Sequence, residues 1–275
     1  MSNPNQKTVV NPRVSRQGLR IAYALSLATI IGLIVVYFFQ NFYPAFMYTF
    51  SNIIAPVTAG VAVFVSFFAL HRYWDYFGSR QSKIWLCFSL GMLLWFLGEL
   101  GWAIYTMVLN VEIPFPSIAD VFWLSGYLPL FIALLFYVEM FQRVISIRLF
   151  LIAGVIVAFM SALVFSLLMI PVLADASQQD FLMLSISLAY PGLDIFLFLE
   201  GVLGLLVFTV TKHKGRIGLA WLFMNIAILL NVLGDMAFSY TTLNGTYYNG
   251  HLTELFFLFG YILFALAFYA HTREL

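Results

Sequence analysis

The chain has 275 residues, of which 63% are hydrophobic and 9% are charged. Its mean hydropathy is +0.97. Soluble domains carry roughly 25% charged residues, so this composition excludes an ordinary soluble protein and indicates a membrane protein in contact with a lipid bilayer. The net charge of +1 leaves no basic surface for nucleic acid. The single cysteine, Cys87, excludes an intrachain disulfide and any site built from several cysteines.

Apolar segments long enough to cross a bilayer follow one another along the chain. About 20 apolar residues are needed to span the hydrocarbon core as a helix. Eight segments meet this requirement, which predicts an all-α polytopic fold. The predicted spans are Arg20–Gln40, Ser51–Leu70, Lys83–Met107, Ser117–Met140, Arg148–Leu173, Leu182–Thr211, Ile217–Tyr240 and His251–His271. The first span is too long for a signal-peptide core and no cleavage pattern follows it, so we expect it to be retained.

The basic residues predict the orientation of the chain. All thirteen Lys and Arg residues fall on alternate connections between the spans. They are Lys7, Arg13, Arg16 and Arg20 at or before span one, Arg72, Arg80 and Lys83 after span two, Arg143 and Arg148 after span four, Lys212, Lys214 and Arg216 after span six, and Arg273 after span eight. The positive-inside rule therefore predicts a cell-membrane protein with both termini in the cytoplasm.

Two pairs of spans repeat the same pattern. Trp85-Leu, Leu93-Leu and Leu-Gly-Glu99 of span three recur as Trp221-Leu, Leu229-Leu and Leu-Gly-Asp235 of span seven. Asp120-x-Phe-x-Leu-x-Gly-Tyr127 of span four recurs as Glu254-x-Phe-x-Leu-x-Gly-Tyr261 of span eight. We therefore expect a tail at residues 1–19, a first four-helix repeat at 20–140 and a second at 141–275. Such parallel repeats predict a pseudo-two-fold axis along the membrane normal.

Carboxylates inside the spans are the main functional signal. A charged group in hydrocarbon is costly and usually faces the interior of the helix bundle. Six acids lie within the spans and none has a Lys or Arg at comparable depth: Glu99, Asp120, Asp194, Glu200, Asp235 and Glu254. All except Glu200, which lies near the middle, are predicted in the outer half. Asn231 shares a helix face with Asp235. These seven residues predict an outward-facing cavity that binds a cation or a cationic small ligand.

A hard divalent cation such as calcium suits carboxylate ligands, and Glu99 and Asp235 are the candidate metal ligands. The competing interpretation is that these acids hydrogen-bond to neighbouring polar side chains and stabilise helix packing. Asp120 and Glu254 lie within one turn of their helix starts, where an acid also caps the helix.

Several classes of protein are excluded or disfavoured. Apart from Lys83, the first residue of predicted span three, no Lys lies within a span, so a retinal Schiff base is excluded. The four histidines lie at span ends, so we expect no b-type haem. Hydrolase, protease and nucleotide-binding motifs are absent from the sequence, which favours a protein that is not an enzyme.

Four segments carry a resemblance to known proteins. They are Glu99-Leu-Gly-Trp102, Pro114-Phe-Pro-Ser-Ile-Ala-Asp120-Val-Phe-Trp-Leu-Ser-Gly-Tyr127, Tyr190-Pro-Gly-Leu-Asp194 and Gly234-Asp235-Met-Ala-Phe-Ser-Tyr240. From roughly span three onward, the chain resembles the polytopic N-terminal membrane regions of bacterial and archaeal signalling proteins that precede diguanylate cyclase or histidine kinase domains. The resemblance implies a sensor or receptor. Because no output domain follows span eight, we expect its signal to pass to a membrane or cytoplasmic partner.

Three other functions stay open at this point. A cation or proton-coupled transporter is compatible with parallel repeats and with Glu200 at mid-depth. An accessory subunit of a larger membrane complex is compatible with the missing output domain. An intramembrane lipid hydrolase is suggested by a loose resemblance of the eight spans and paired acids to lysoplasmalogenase-like proteins.

Overall fold

The computed structural model describes residues 12–73, 78–140, 145–211 and 216–274. Within these ranges, eight helices are long and apolar enough to cross a membrane, which confirms the predicted all-α polytopic fold. They are α1 Pro12–Phe38, α2 Pro44–His71, α3 Arg80–Val108, α4 Ile118–Met140, α5 Ile147–Ala174, α6 Phe181–Thr211, α7 Arg216–Leu243 and α8 Glu254–Glu274. The last turn of α3 and a segment of α5 are π-helical.

All eight helices begin at residues other than the predicted ones: α1 and α2 well before them, α3 and α8 three residues away, and the remaining four one residue away. Helix α1 begins at Pro12, so part of the segment predicted as a tail is helical. Helix α2 begins at Pro44 rather than Ser51, because proline suits the first turn, where its missing N–H is not needed. Helix α8 begins at Glu254 rather than His251, because the intervening residues form its capping turn.

Six of the helices form a closed ring. Helix α2 packs on α3, α3 on α4, α4 on α6, α6 on α7, α7 on α8, and α8 on α2. Helices α1 and α5 lie outside the ring, against α8 and α6 respectively. In the most apolar stretch of each helix, protein buries only 11% of the residues of α1 and 17% of those of α5, compared with 61% of those of α8. The interior of the six-helix ring is therefore where polar side chains are shielded from lipid.

Two antiparallel helix pairs approach closely at glycines. A Cβ at Gly126 of α4 would lie 3.2 Å from the carbonyl oxygen of Gly91 in α3. A Cβ at Gly260 of α8 would lie 3.2 Å from the carbonyl oxygen of Ala227 in α7. Small residues let helix backbones approach in this way within a membrane. The α3/α4 and α7/α8 pairs thus pack through residues at matching positions of the two similar sequence segments.

Candidate functional site

Four of the predicted acids lie at the opposite end of the bundle from the basic side chains, whereas Glu139 pairs with Arg80 at the basic end. The basic end is where α3 and α5 begin and α2 and α8 finish; it carries Arg20, Arg72, Arg80, Lys83, Arg148 and Arg273. At the other end, here called the acid end, Glu99 and Asp235 lie late in α3 and α7, while Asp120 and Glu254 lie in the first turns of α4 and α8. The acids are separated from these cations by most of a helix length. Neutralising the acids therefore requires hydrogen bonds, protons or a bound cation.

One tyrosine hydroxyl joins two of the acids. Tyr127 of α4 is buried, and its hydroxyl lies 2.7 Å from Asp194 Oδ1 and 2.9 Å from Asp235 Oδ2. Asp194, on α6, is only 1% exposed. A phenol has a single proton to donate, so two ionised carboxylates cannot both receive a full hydrogen bond from it. The pair therefore holds either a proton or negative charge that is not fully compensated.

Glu99 accepts a hydrogen bond from a second tyrosine, in a contact that mirrors the one between Tyr127 and Asp235. The hydroxyl of Tyr261, on α8, donates a hydrogen bond of 2.8 Å to Glu99 Oε1 on α3. Tyr261 corresponds in sequence to Tyr127, and Glu99 to Asp235. Asp235 is close enough to Glu99 and to Asp194 for their charges to interact. We call the following five residues the central acid site: Glu99, Tyr127, Asp194, Asp235 and Tyr261.

Asp120 closes the first turn of α4. Its Oδ2 accepts hydrogen bonds from the backbone N–H of Ser117 (2.7 Å) and from the hydroxyl of Ser117 (3.0 Å). The Ser117 hydroxyl oxygen in turn accepts from the N–H of Ala119 at 3.2 Å, so both residues contribute to the cap. The hydroxyl of Tyr190 on α6 donates to Asp120 Oδ1 at 2.9 Å. With three donors, this carboxylate is accounted for by helix capping and packing.

Glu254 stabilises the start of α8 and attaches α1 to it. Its Oε1 accepts from the N–H of Gly250 (2.7 Å) and from the hydroxyl of Tyr247 (3.0 Å). The hydroxyl of Tyr37 on α1 donates to Oε2 at 2.7 Å. A carboxylate at a helix N-terminus is also stabilised by the helix dipole. These bonds connect α1, the α7–α8 loop and α8 at the acid end.

Four of the seven predicted site residues lie outside the central acid site: Asp120 and Glu254, described above, and Glu200 and Asn231. Glu200 is buried, and within the described part of the chain its Oε2 has no hydrogen-bond partner. Asn231 donates from Nδ2 to the carbonyl of Ala227 at 2.8 Å, and its side chain packs against Gly260 of α8. Asp235, one turn further along α7, instead contacts α4. The two polar side chains of this face therefore contact different helices, α8 and α4.

Comparison of the chain with protein-family models, with curated proteins and with solved structures finds no match. The resemblance to the membrane regions of signalling proteins accordingly stays a prediction. Over the four described ranges, no group of three or more His, Cys, Asp or Glu side chains is arranged to hold a metal ion. The function must therefore be inferred from the geometry of the acid end.

The tyrosines are the site residues that the sequence patterns did not assign. Each of the two in the central acid site stands seven positions after a carboxylate, in the repeated acid-x-Phe-x-Leu-x-Gly-Tyr segment. That recurrence is the signal that could have identified Tyr127 and Tyr261. Tyr37 and Tyr247 lie in no repeated segment. Their hydrogen bonds to Glu254 follow only from the packing of α1 and the α7–α8 loop.

Proposed function

We propose that the protein is a cell-membrane sensor or receptor whose central acid site binds a cation or a cationic small ligand. The observation that carries this proposal is the single hydroxyl of Tyr127 placed between Asp194 and Asp235. Two carboxylates that share one donor need a further neutralising charge at a depth where burial is costly, and a cation would supply it. Calcium, which prefers oxygen ligands, is the first ion to test.

The proposed orientation places the acid end outside the cell. The Lys and Arg residues lie on alternate connections, and the positive-inside rule assigns these connections to the cytoplasm. A ligand would then reach the site from the outer side. A signalling partner would contact the basic end in the cytoplasm.

We also propose that the chain arose by duplication of a four-helix unit, and that this arrangement transmits the signal. Tyr127 of the first half bonds to Asp235 of the second, and Tyr261 of the second half bonds to Glu99 of the first. A cation that takes over these carboxylates would release both hydroxyls. The two halves would then shift relative to each other, because the cation binds the two packings with different affinity.

The test is thermal unfolding of the full chain in detergent, with and without calcium chloride. Calcium is expected to raise the Tm of the wild type and to leave that of the Glu99→Gln/Asp235→Asn double variant unchanged. Glu112→Gln is the matched control, because it removes an exposed loop carboxylate and should keep the calcium effect. The same rise in Tm in the double variant, or no rise in the wild type, would contradict the proposal.

A transporter is the second candidate function, and Glu200 is the observation that favours it. A buried carboxyl group on α6 with an unpartnered oxygen is the type of group that carries protons or ions across a membrane. Purified protein in proteoliposomes distinguishes the two functions. A transporter produces a flux of protons or calcium that Glu200→Gln abolishes, whereas a sensor produces none.

A further inference from the structure

The loop between α7 and α8 inserts one aromatic side chain into the acid end of the ring. The Tyr247 ring lies 4.6 Å from the ring of Phe238 on α7 and 6.3 Å from that of Trp102 on α3, measured between centroids. Trp102 and Phe238 themselves meet at 6.1 Å. Tyr247 therefore covers the point where the ends of α3 and α7 come together.

This position lies directly over the central acid site. Glu99 is about one helical turn before Trp102 on α3, and Asp235 is about one turn before Phe238 on α7. Glu99 is also near enough to Tyr247 to disfavour ionisation of its phenol. A ligand that approaches Glu99 past the ends of α3 and α7 would therefore meet this ring.

Backbone hydrogen bonds from Thr246 and Tyr247 to the carbonyl of Thr241 hold the start of the loop to α7. Residues 242–246 are exposed, and Tyr248 is 51% exposed. Two contacts hold the segment to the same carboxylate: the Tyr247 hydroxyl and the Gly250 N–H both donate to Glu254 Oε1. Burial, and after it the nearby Glu254 carboxylate, raise the pKa of Tyr247 well above its ordinary value, so the phenol keeps the proton that it donates.

Glycines with left-handed backbone flank the inserted tyrosine. Gly245 has φ +64° and Gly250 has φ +95°. No atom lies within 4 Å of the Cβ position at Gly245, so the backbone there is unobstructed. Glycine adopts such angles without steric cost and passes readily to other conformations. The segment can thus turn at Gly245, whereas Gly250 is buried and a side chain there would meet Met47 at 2.9 Å.

We propose that the α7–α8 loop is a gate over the central acid site, in which Tyr247 closes the opening, Gly245 is the hinge, and Glu254 is the latch. The proposal that this loop controls the entry of a ligand rests on the proposed cation site. The closure itself is a property of the loop, so it can be measured without any cation.

The test measures how fast a water-soluble carbodiimide with an amine nucleophile labels Glu99 and Asp235, read by mass spectrometry on the full chain in lipid nanodiscs. Tyr247→Phe removes the latch bond and keeps the ring, so labelling is expected to rise about fivefold, the ratio that corresponds to one hydrogen bond of ordinary strength. Tyr247→Ala also removes the ring, and labelling is expected to rise further. Tyr248→Ala is the matched control and should label like the wild type.

Wild-type labelling rates in a folded Tyr247→Ala variant would overturn the gate, and so would a Tyr248→Ala variant that labels as fast as Tyr247→Ala. If Tyr247→Ala does not fold, Tyr247→Phe decides, and a wild-type rate there overturns the gate. Faster labelling together with no calcium effect on Tm supports the gate and removes the cation proposal. Unchanged labelling together with a calcium effect removes the gate alone.

Discussion

Tyr261 donates a hydrogen bond of 2.8 Å to Glu99, although 162 residues separate them in the chain. The corresponding contact in the other direction joins Tyr127 to Asp235 at 2.9 Å. Hydrogen bonds to charged groups contribute about 1.5–3 kcal/mol each, more than neutral ones. The two halves of the ring are therefore coupled through the same carboxylates that we propose as the ligand site.

Tyr127→Phe tests whether one hydroxyl serves two acids. The substitution keeps the ring and removes the donor of Asp194 and Asp235, so the free energy of unfolding is expected to fall by about 2 kcal/mol. Tyr261→Phe affects one acceptor and is expected to cost less, about 1.5 kcal/mol. Denaturant unfolding in detergent measures both. Tyr248→Phe, on an exposed residue, is the control, and a loss at Tyr127 no larger than at Tyr248 would contradict the shared donor.

Adding a methyl group at the close helix approaches should weaken both halves. Gly126→Ala would push against the indole of Trp95, and Gly260→Ala against the amide of Asn231. Each is expected to lower the free energy of unfolding by about 1–3 kcal/mol, as overpacking does. Gly154→Ala on α5 is the control, because no atom lies within 4 Å of its Cβ position and alanine favours a helix. Equal Tm values for all three variants would rule out the close approach.

The capping turn of α8 should weaken in acid. His251 Nδ1 accepts a hydrogen bond from the N–H of Thr253 at 3.2 Å. Burial lowers the pKa of His251 below its ordinary value of 6.5, so the unfolded state binds a proton at a higher pH than the folded state. This contribution to stability is present above pH 6.5 and is lost as the pH falls toward the lower folded pKa.

Hydrogen exchange of the first amides of α8 measures this effect. Lowering the pH from about 7 to about 5 is expected to reduce their protection factors, because the protonated ring can no longer accept the bond. His251→Asn caps the helix without titrating and should keep its protection over the same range. Equal losses of protection in the two proteins would show that His251 is not the responsible group.

Asn52 is expected to be required for packing between α2 and α3. Its Oδ1 accepts hydrogen bonds from Trp102 Nε1 (2.9 Å) and from the hydroxyl of Thr106 (3.0 Å). Asn52→Leu would leave the partly buried indole N–H without an acceptor, at a cost of about 1 kcal/mol. Thermal unfolding measures the loss and near-ultraviolet circular dichroism reports the tryptophan environment. Asn244→Leu, at an exposed position, should change neither, and an unaltered Asn52→Leu protein would contradict the role of this amide.

The number and approximate position of the helices could be predicted because hydropathy is a property of each segment by itself. The exact starts of α2 and α8 could not, since they depend on local caps, whereas α4, α5, α6 and α7 begin within one residue of the predicted positions. Helix α2 begins at Pro44 and α8 at Glu254, and both starts are set by particular residues rather than by the apolar run.

The acids could be predicted from their cost in hydrocarbon, but their partners could not. The bond between Tyr261 and Glu99 depends on how α8 sits beside α3 in the ring, which no local pattern encodes. Asn231 and Asp235 share a helix face, yet Asn231 packs on α8, whereas Asp235 accepts a hydrogen bond from Tyr127 of α4. The spacing of polar residues along the sequence predicts which side chains share a helix face. It does not predict which other helix that face contacts.

The central claim is that a cation replaces the tyrosine hydrogen bonds of the central acid site. The most direct test is a pair of structures of the protein in lipid nanodiscs, determined with calcium and with a chelator. We predict density between the carboxylates of Asp194 and Asp235 in the calcium structure, together with displacement of the Tyr127 hydroxyl from both. An unchanged Tyr127 hydroxyl at hydrogen-bond distance from both acids, with no added density, would contradict the claim.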